Sequence, residues 1–177
     1  MKPLVIIPAR GGSKGIKDKN IKLLQGKPLI HYTIEVAQAL FEDARICVTT
    51  DSSRIKEVAE ELIKVPFLRP DELATDMADG RGYILHAVDH YIKEGLEFDC
   101  IILLQPTSPL RKVANIQEAI KIWDSDLDMV VSVKKTDANP YYLLREENNL
   151  GFLEPSKKGE FVRRQDCPDV WELNGAI

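Results

Sequence analysis

Five consecutive apolar residues, Cys100–Leu104, stand between Asp99 and Gln105, and two prolines, Pro106 and Pro109, follow at once. A run this short and this uniformly apolar reads as a strand covered on both faces, which places it in the middle of a parallel sheet. Parallel strands need long crossovers, normally helices, and the rest of the chain supplies the alternation. Leu4–Pro8 reads as a first strand. Pro28 suits the first turn of a helix whose Ile30, Ile34, Ala37 and Leu40 recur at helical spacing. Arg45–Thr50 reads as a second strand, and Asp51, Ser52 or Ser53 can cap a helix carrying Ile55, Val58, Ala59 and Leu62.

Val65–Leu68 is expected as a short third strand. A helix with Ile84, Leu85, Val88 and Ile92 precedes the apolar run and closes at Gly95, and another carries Val113, Ile116, Ile120 and Trp123. Met129–Val133 is expected as a further strand, and Asp137–Gly159 as an irregular or β-rich arm. The expected fold is α/β, a Rossmann-like doubly wound, mostly parallel sheet, with residues 1–134 as core and 135–177 as an arm returning to it.

Sheets of this kind bind ligands outside the carboxyl ends of their strands. The loop after the first strand is Pro8-Ala9-Arg10-Gly11-Gly12-Ser13-Lys14-Gly15, three glycines between two cations. Backbone N–H groups and fixed positive charge at one point suit a phosphate chain. The spacing is neither that of a Walker A loop nor G-x-G-x-x-G, so the cradle reading competes with a plain solvated basic loop. Arg10, Lys14, Lys17, Lys19 and Lys22 accumulate charge there that an anion would relieve. Gln105, just past the apolar run, can read a hydroxyl or a base edge from the crevice floor. Arg111 reads as a surface cation.

Overall charge excludes other roles. With 24 Lys+Arg against 28 Asp+Glu the formal net charge is −4, which argues against nucleic acid or an anionic membrane as partner. Three cysteines without close pairing fit a reducing cytoplasm, and no apolar run approaches a membrane span. His86 and His90 lie four apart on one helix without an adjoining glutamate and read as a surface pair; Ser13 has no histidine partner in view.

Five segments recur in order: IPARGGSKG at 7–15, KN at 19–20, RPDELATD at 69–76, LQPTSPLR at 104–111 and NGAI at 174–177. Together they resemble the acylneuraminate cytidylyltransferase family, the CMP-sialic acid synthetases. The resemblance implies a nucleotide-diphospho-sugar transferase type of fold with a small dimerisation arm. It implies transfer of CMP from CTP to the anomeric hydroxyl of a nine-carbon 2-keto sugar acid, with Mg²⁺ as cofactor and a homodimer as assembly. By matched position, Arg10, Lys14 and Lys19 act on the reacting triphosphate. Ala9, Gly11, Ser13, Asn20, Arg69 and Ala78 hold the nucleotide, and Gln105, Arg164 and Asn174 meet the acceptor.

The chain also departs from the family pattern. Lys17 and Asp18 precede K-N, Met77-Ala78-Asp79-Gly80 follows LATD, and Glu172 stands where an arginine is common. Tyr142 replaces a common lysine, which favours a legionaminic- or pseudaminic-type acid over N-acetylneuraminate. The family continues past NGAI to a pair of metal-binding aspartates, so with the sequence ending at Ile177 a truncated chain is expected, with no metal ligand assigned within it. Two alternatives stay open: a related transferase for a simpler acid such as Kdo, and an inactive nucleotide-binding or dimerisation domain.

Overall fold

The computed structural model describes residues 1–75 and 79–177. In chain order the first part holds β1 (Pro3–Pro8), β2 (Leu23–Leu24), β3 (Lys27–Pro28), α1 (Leu29–Gln38), β4 (Ile46–Thr49), α2 (Ser53–Ala59), α3 (Gly80–Lys93), β5 (Cys100–Leu103) and α4 (Val113–Ile122). A second part holds β6 (Val133–Thr136), β7 (Arg145–Glu147), β8 (Leu153–Pro155) and β9 (Val170–Leu173).

The main sheet is parallel, in the order β4-β1-β5. β1 is therefore central, and the strand read from sequence as the middle one, β5, is an edge. Leu4, Val5, Ile6 and Ile7 are fully buried, whereas Ile101 of β5 is 41% exposed. Side chains alternate across the sheet. Val5, Ile7 and Ala9 join Ile30 and Ile34 of α1, Ile55 of α2 and Ile116 of α4 on one face; Leu4 and Ile6 join Cys47 and Ala87 and Tyr91 of α3 on the other. Each buried Val, Leu or Ile among these contributes about 1.5–3 kcal/mol by leaving water.

Helix ends follow their local chemistry. Ser52 Oγ accepts the Ile55 N–H at 3.4 Å at the start of α2, and the Asp79 side chain accepts the Arg81 N–H at 3.0 Å at the start of α3. Gly95, with φ 80°, follows α3.

Two expected strands are corrected. Val65–Leu68 makes no ladder, because Pro66 lacks a donor, although Val65 enters the core. Residues 129–132 are irregular, and pairing begins only at Val133. That strand pairs antiparallel with β9 rather than extending the parallel sheet, and β7 pairs antiparallel with β8. The chain divides into two compact units, residues 1–130 with 175–177, and residues 131–174, where the sequence reading put the boundary at 134/135. Among the described residues no helix is long and apolar enough to cross a membrane.

Two thiols tie the core to pH. Burial pushes the Cys47 thiol, against a weaker opposing hydrogen bond from Tyr91, up to about 12, and burial with Asp99 pushes Cys100 up to about 11. The folded chain thus keeps protons that the unfolded chain releases near pH 9. The stability linked to them is present below pH 9 and is lost as pH rises toward 11 and 12. The urea midpoint is expected to fall between pH 8.5 and 10.5, and to fall less in Cys47→Ala; a flat midpoint in both proteins would contradict this.

Candidate active site

The carboxyl ends of β1, β4 and β5 lie at one end of the parallel sheet, where residues 8–15, 50–52 and 105–111 leave it. The Ala9 N–H bonds Thr49 O at 3.0 Å, extending the β1–β4 register by one residue before the loop turns away. Gly12 adopts φ 62°, which only glycine takes without strain, and no atom lies within 4 Å of a Cβ built there.

Gly11 is tied down. Its N–H donates to Asp51 Oδ1 at 2.8 Å, and a Cβ at Gly11 would lie 3.2 Å from Asp51 Oδ2 and 3.3 Å from Ser52 Cβ. Arg10 is half-buried and its Nη1 donates to Ala74 O at 3.4 Å. Ser13 is half-buried and Lys14 exposed. Asp18 takes the left-handed conformation at φ 53° and opens a 3₁₀ turn, Lys19–Ile21. The turn places Asn20, 5% exposed, so that its Nδ2 donates to Arg10 O at 3.0 Å, while Lys19 stays half-exposed. The Asp18 carboxylate accepts from Arg54 Nη1 at 3.0 Å, so this departure from the family pattern is charge-paired.

Arg69 is 4% exposed and turned inward. Its Nε donates to Thr49 Oγ1 at 3.2 Å and its Nη2 to Thr49 O at 2.6 Å, with the guanidinium 4.8 Å from the Tyr83 ring centroid. Burial lowers its pKa from the ordinary range, Asp51 opposes that shift, and Arg10 adds to it. Arg69 therefore fastens the end of β4 to the segment before α3. Ala78 lies outside the described residues.

Arg111, read from sequence as a surface cation, is 7% exposed. It donates from Nη2 to Gln105 O at 2.6 Å, from Nε to Ala176 O at 2.7 Å and from Nη1 to Thr33 Oγ1 at 3.4 Å. Burial alone lowers it to about 10. Gln105 is thus held from behind, and Thr107 Oγ1 donates to its Oε1 at 3.4 Å. Gly175, at φ 66°, packs so close that a Cβ would lie 3.0 Å from Gln105 Oε1. Asp51 and Arg111 are the two organising residues that sequence reasoning missed. Asp51 stands just past β4 and Arg111 closes the LQPTSPLR segment, and those positions are the signals that could have marked them.

Arg164 and Asn174 belong to the second unit. Arg164 pairs with Asp137 and lines a cavity of about 240 Å³ together with Lys135, Asn139, Gln165 and Cys167. Asn174 accepts at Oδ1 from Ser132 Oγ at 2.6 Å. Glu172 pairs with Lys134 at 3.1 Å, and Lys135 with Asp169 at 2.7 Å. Among the described residues no three His, Cys, Asp or Glu side chains converge as a metal-ligand set.

A family model described as Cytidylyltransferase matches residues 4–172. The chain is 39% identical, over its whole length and 43% of the relative, to an N-acylneuraminate cytidylyltransferase of Streptococcus agalactiae serotype V. It is 35% identical to a CMP-N,N'-diacetyllegionaminic acid synthase of Legionella pneumophila, covering all of this chain and 77% of that one. The chain thus spans less than half the length of the first of these and most of the second. Its fold is similar to a CMP:2-keto-3-deoxy-manno-octonic acid synthetase complexed with CTP, at a TM-score of 0.67 and 18% identity over 99% of this chain and 72% of that one.

Proposed function

The chain belongs to the cytidylyltransferase family, and on that premise we propose that it transfers CMP from CTP to the anomeric hydroxyl of a nine-carbon 2-keto sugar acid, of sialic, legionaminic or pseudaminic type. One observation carries the reading: the glycine-rich loop with Arg10 and Lys14, and the Gln105 loop, leave adjacent parallel strands at the same end of the sheet. In the reaction the sugar oxygen bonds to the α-phosphorus in line. The bond from that phosphorus to the β-bridging oxygen breaks, its electron pair leaves on pyrophosphate, and the hydroxyl proton passes to solvent.

The protein's share is positioning and charge stabilisation. Arg10, Lys14 and Lys19 are assigned to the phosphates, with Ala9, Gly11 and Ser13 shaping the loop. Asn20, which braces the loop through Arg10 O, and Arg69, which fastens the end of β4, are assigned to the nucleotide. Gln105 is assigned to the acceptor or ribose, and Arg164 and Asn174 to the acceptor. Mg²⁺ is expected from the family. We assign the second unit to a homodimer contact, supported by exposed Trp171, Leu173, Phe152 and Leu153. A cytoplasmic setting fits the free thiols Cys47, Cys100 and Cys167.

The test is selectivity. CTP with Mg²⁺ at about 100 times Kd is expected to add ~2.7 kcal/mol of stability, a rise of several degrees in Tm, where ATP, GTP and UTP give little. Product analysis with sialic, legionaminic and pseudaminic acids and with Kdo then assigns the acceptor. Equal response to all four nucleotides would overturn the reading, and binding of CTP without turnover would favour the non-enzymatic alternative.

A further inference from the structure

We propose that the glycine-rich loop is held in its anion-binding shape by a carboxylate clamp on the start of α2, with Asp51 as the positioning residue. The proposal rests on the reading of this loop as a triphosphate cradle.

The loop is fastened at both ends to one short stretch of chain. At its beginning the Gly11 N–H donates to Asp51 Oδ1 at 2.8 Å. At its end Asp18 accepts from Arg54 Nη1 at 3.0 Å. Between these two points lie Gly12, Ser13, Lys14, Gly15, Ile16 and Lys17, and Cβ atoms built on Gly12 and Gly15 would meet nothing within 4 Å. The chain is thus open at both glycines, and the clamp acts on this stretch from its ends. Asp51 is itself fixed: the next residue, Ser52, donates its N–H to Thr50 Oγ1 at 3.2 Å and accepts from Ile55 N–H at 3.4 Å. The fit at Gly11 is close, since a Cβ there would come within 3.2 Å of the other Asp51 oxygen.

Ordering a flexible segment costs backbone entropy, so a loop already ordered binds its ligand with less to lose. The Gly11 N–H is committed to Asp51, which makes it an anchor of the cradle rather than a phosphate donor. A carboxylate next to an anion site also repels the anion. Arg69 lies within its electrostatic reach, and Asp51 favours the charged form of Arg69. Asp51 therefore acts in two opposite ways, by anchoring and by repelling. Asparagine separates them: it keeps an acceptor oxygen and loses the charge.

The experiment compares wild type, Asp51→Asn and Asp51→Ala by titration with CTP and with inorganic tripolyphosphate, and by amide hydrogen exchange of the unliganded proteins. Asp51→Asn is expected to bind both ligands at least as tightly as wild type. Asp51→Ala is expected to bind them about tenfold more weakly than Asp51→Asn, with faster exchange at residues 11–17 and unchanged exchange in β1 and β4. Equal affinities of the two variants, or loop exchange unaltered in Asp51→Ala, would overturn the clamp. If wild type bound neither ligand, the cradle reading would fall, while the exchange comparison would still decide whether Asp51 orders the loop. Should Asp51→Ala not fold, Gly11→Ala makes the same test by forcing the backbone away from Asp51. It is expected to speed loop exchange and weaken tripolyphosphate binding several-fold, and unchanged values would overturn the clamp.

Discussion

Arg10→Ala is expected to lower kcat/KM for CMP transfer by about 10²–10³-fold, the scale on which loss of one fixed donor to developing charge is felt. Arg10 leaves β1 at the last ordered rung of the sheet and its carbonyl is pinned by Asn20, so its charge is delivered to one place. Its Nη1 donates to Ala74 O at 3.4 Å, at the long end of hydrogen bonding. Thermal stability is expected to change little, because the side chain is half-exposed. Arg10→Lys should recover part of the loss, since a point charge replaces a planar fork. Steady-state kinetics with CTP varied at saturating acceptor measures it, and a fall of less than tenfold would remove Arg10 from the phosphate site.

Arg111→Ala is expected to cost about 2–4 kcal/mol of stability, the sum of a cavity and of acceptors left without donors. All three of its acceptors, on Gln105, Ala176 and Thr33, are neutral oxygens. Among the described residues the guanidinium is thus held by hydrogen bonds to uncharged groups, and burial drives its pKa down to about 10. Arg111→Met, which fills most of the volume but donates nothing, should recover the cavity part only. Urea unfolding at neutral pH separates the two: if alanine and methionine were equally harmful, the hydrogen bonds would account for the whole cost. Because Arg111 holds the Gln105 backbone, the alanine variant should also raise KM for the acceptor more than KM for CTP.

The parallel α/β core was legible because its information is local. Helical spacing located α1, α2, α3 and α4, and short apolar runs located β1, β4 and β5. What the apolar run at 100–104 could not tell was its rank within the sheet. A strand's own composition reports that it is buried, whereas its neighbours decide how far, and here β1 holds the centre and Ile101 is exposed at the edge. Val65 misled for a related reason: it is core by burial, but the following proline denies it a ladder.

The site was legible where residues sit within one loop. Arg10, Gly11, Ser13 and Lys14 are neighbours in sequence and remain so in space. Asp51 and Arg111 were not legible, because each acts through a residue distant along the chain. Nothing in the text of a sequence distinguishes a carboxylate that caps a helix from one that reaches back to a glycine.

The return of residues 175–177 to the first unit has a consequence for chain length. Residues 131–174 form a detour whose two ends are both secured, the later one through Arg111 and Ala176. For the first unit that detour is a closed loop, and the entropy of closing a loop grows only with the logarithm of its length, about 0.6 kcal/mol for each doubling. Insertions or deletions within the detour therefore weigh lightly on the first unit, and the detour is free to change size while the parallel sheet stays the same.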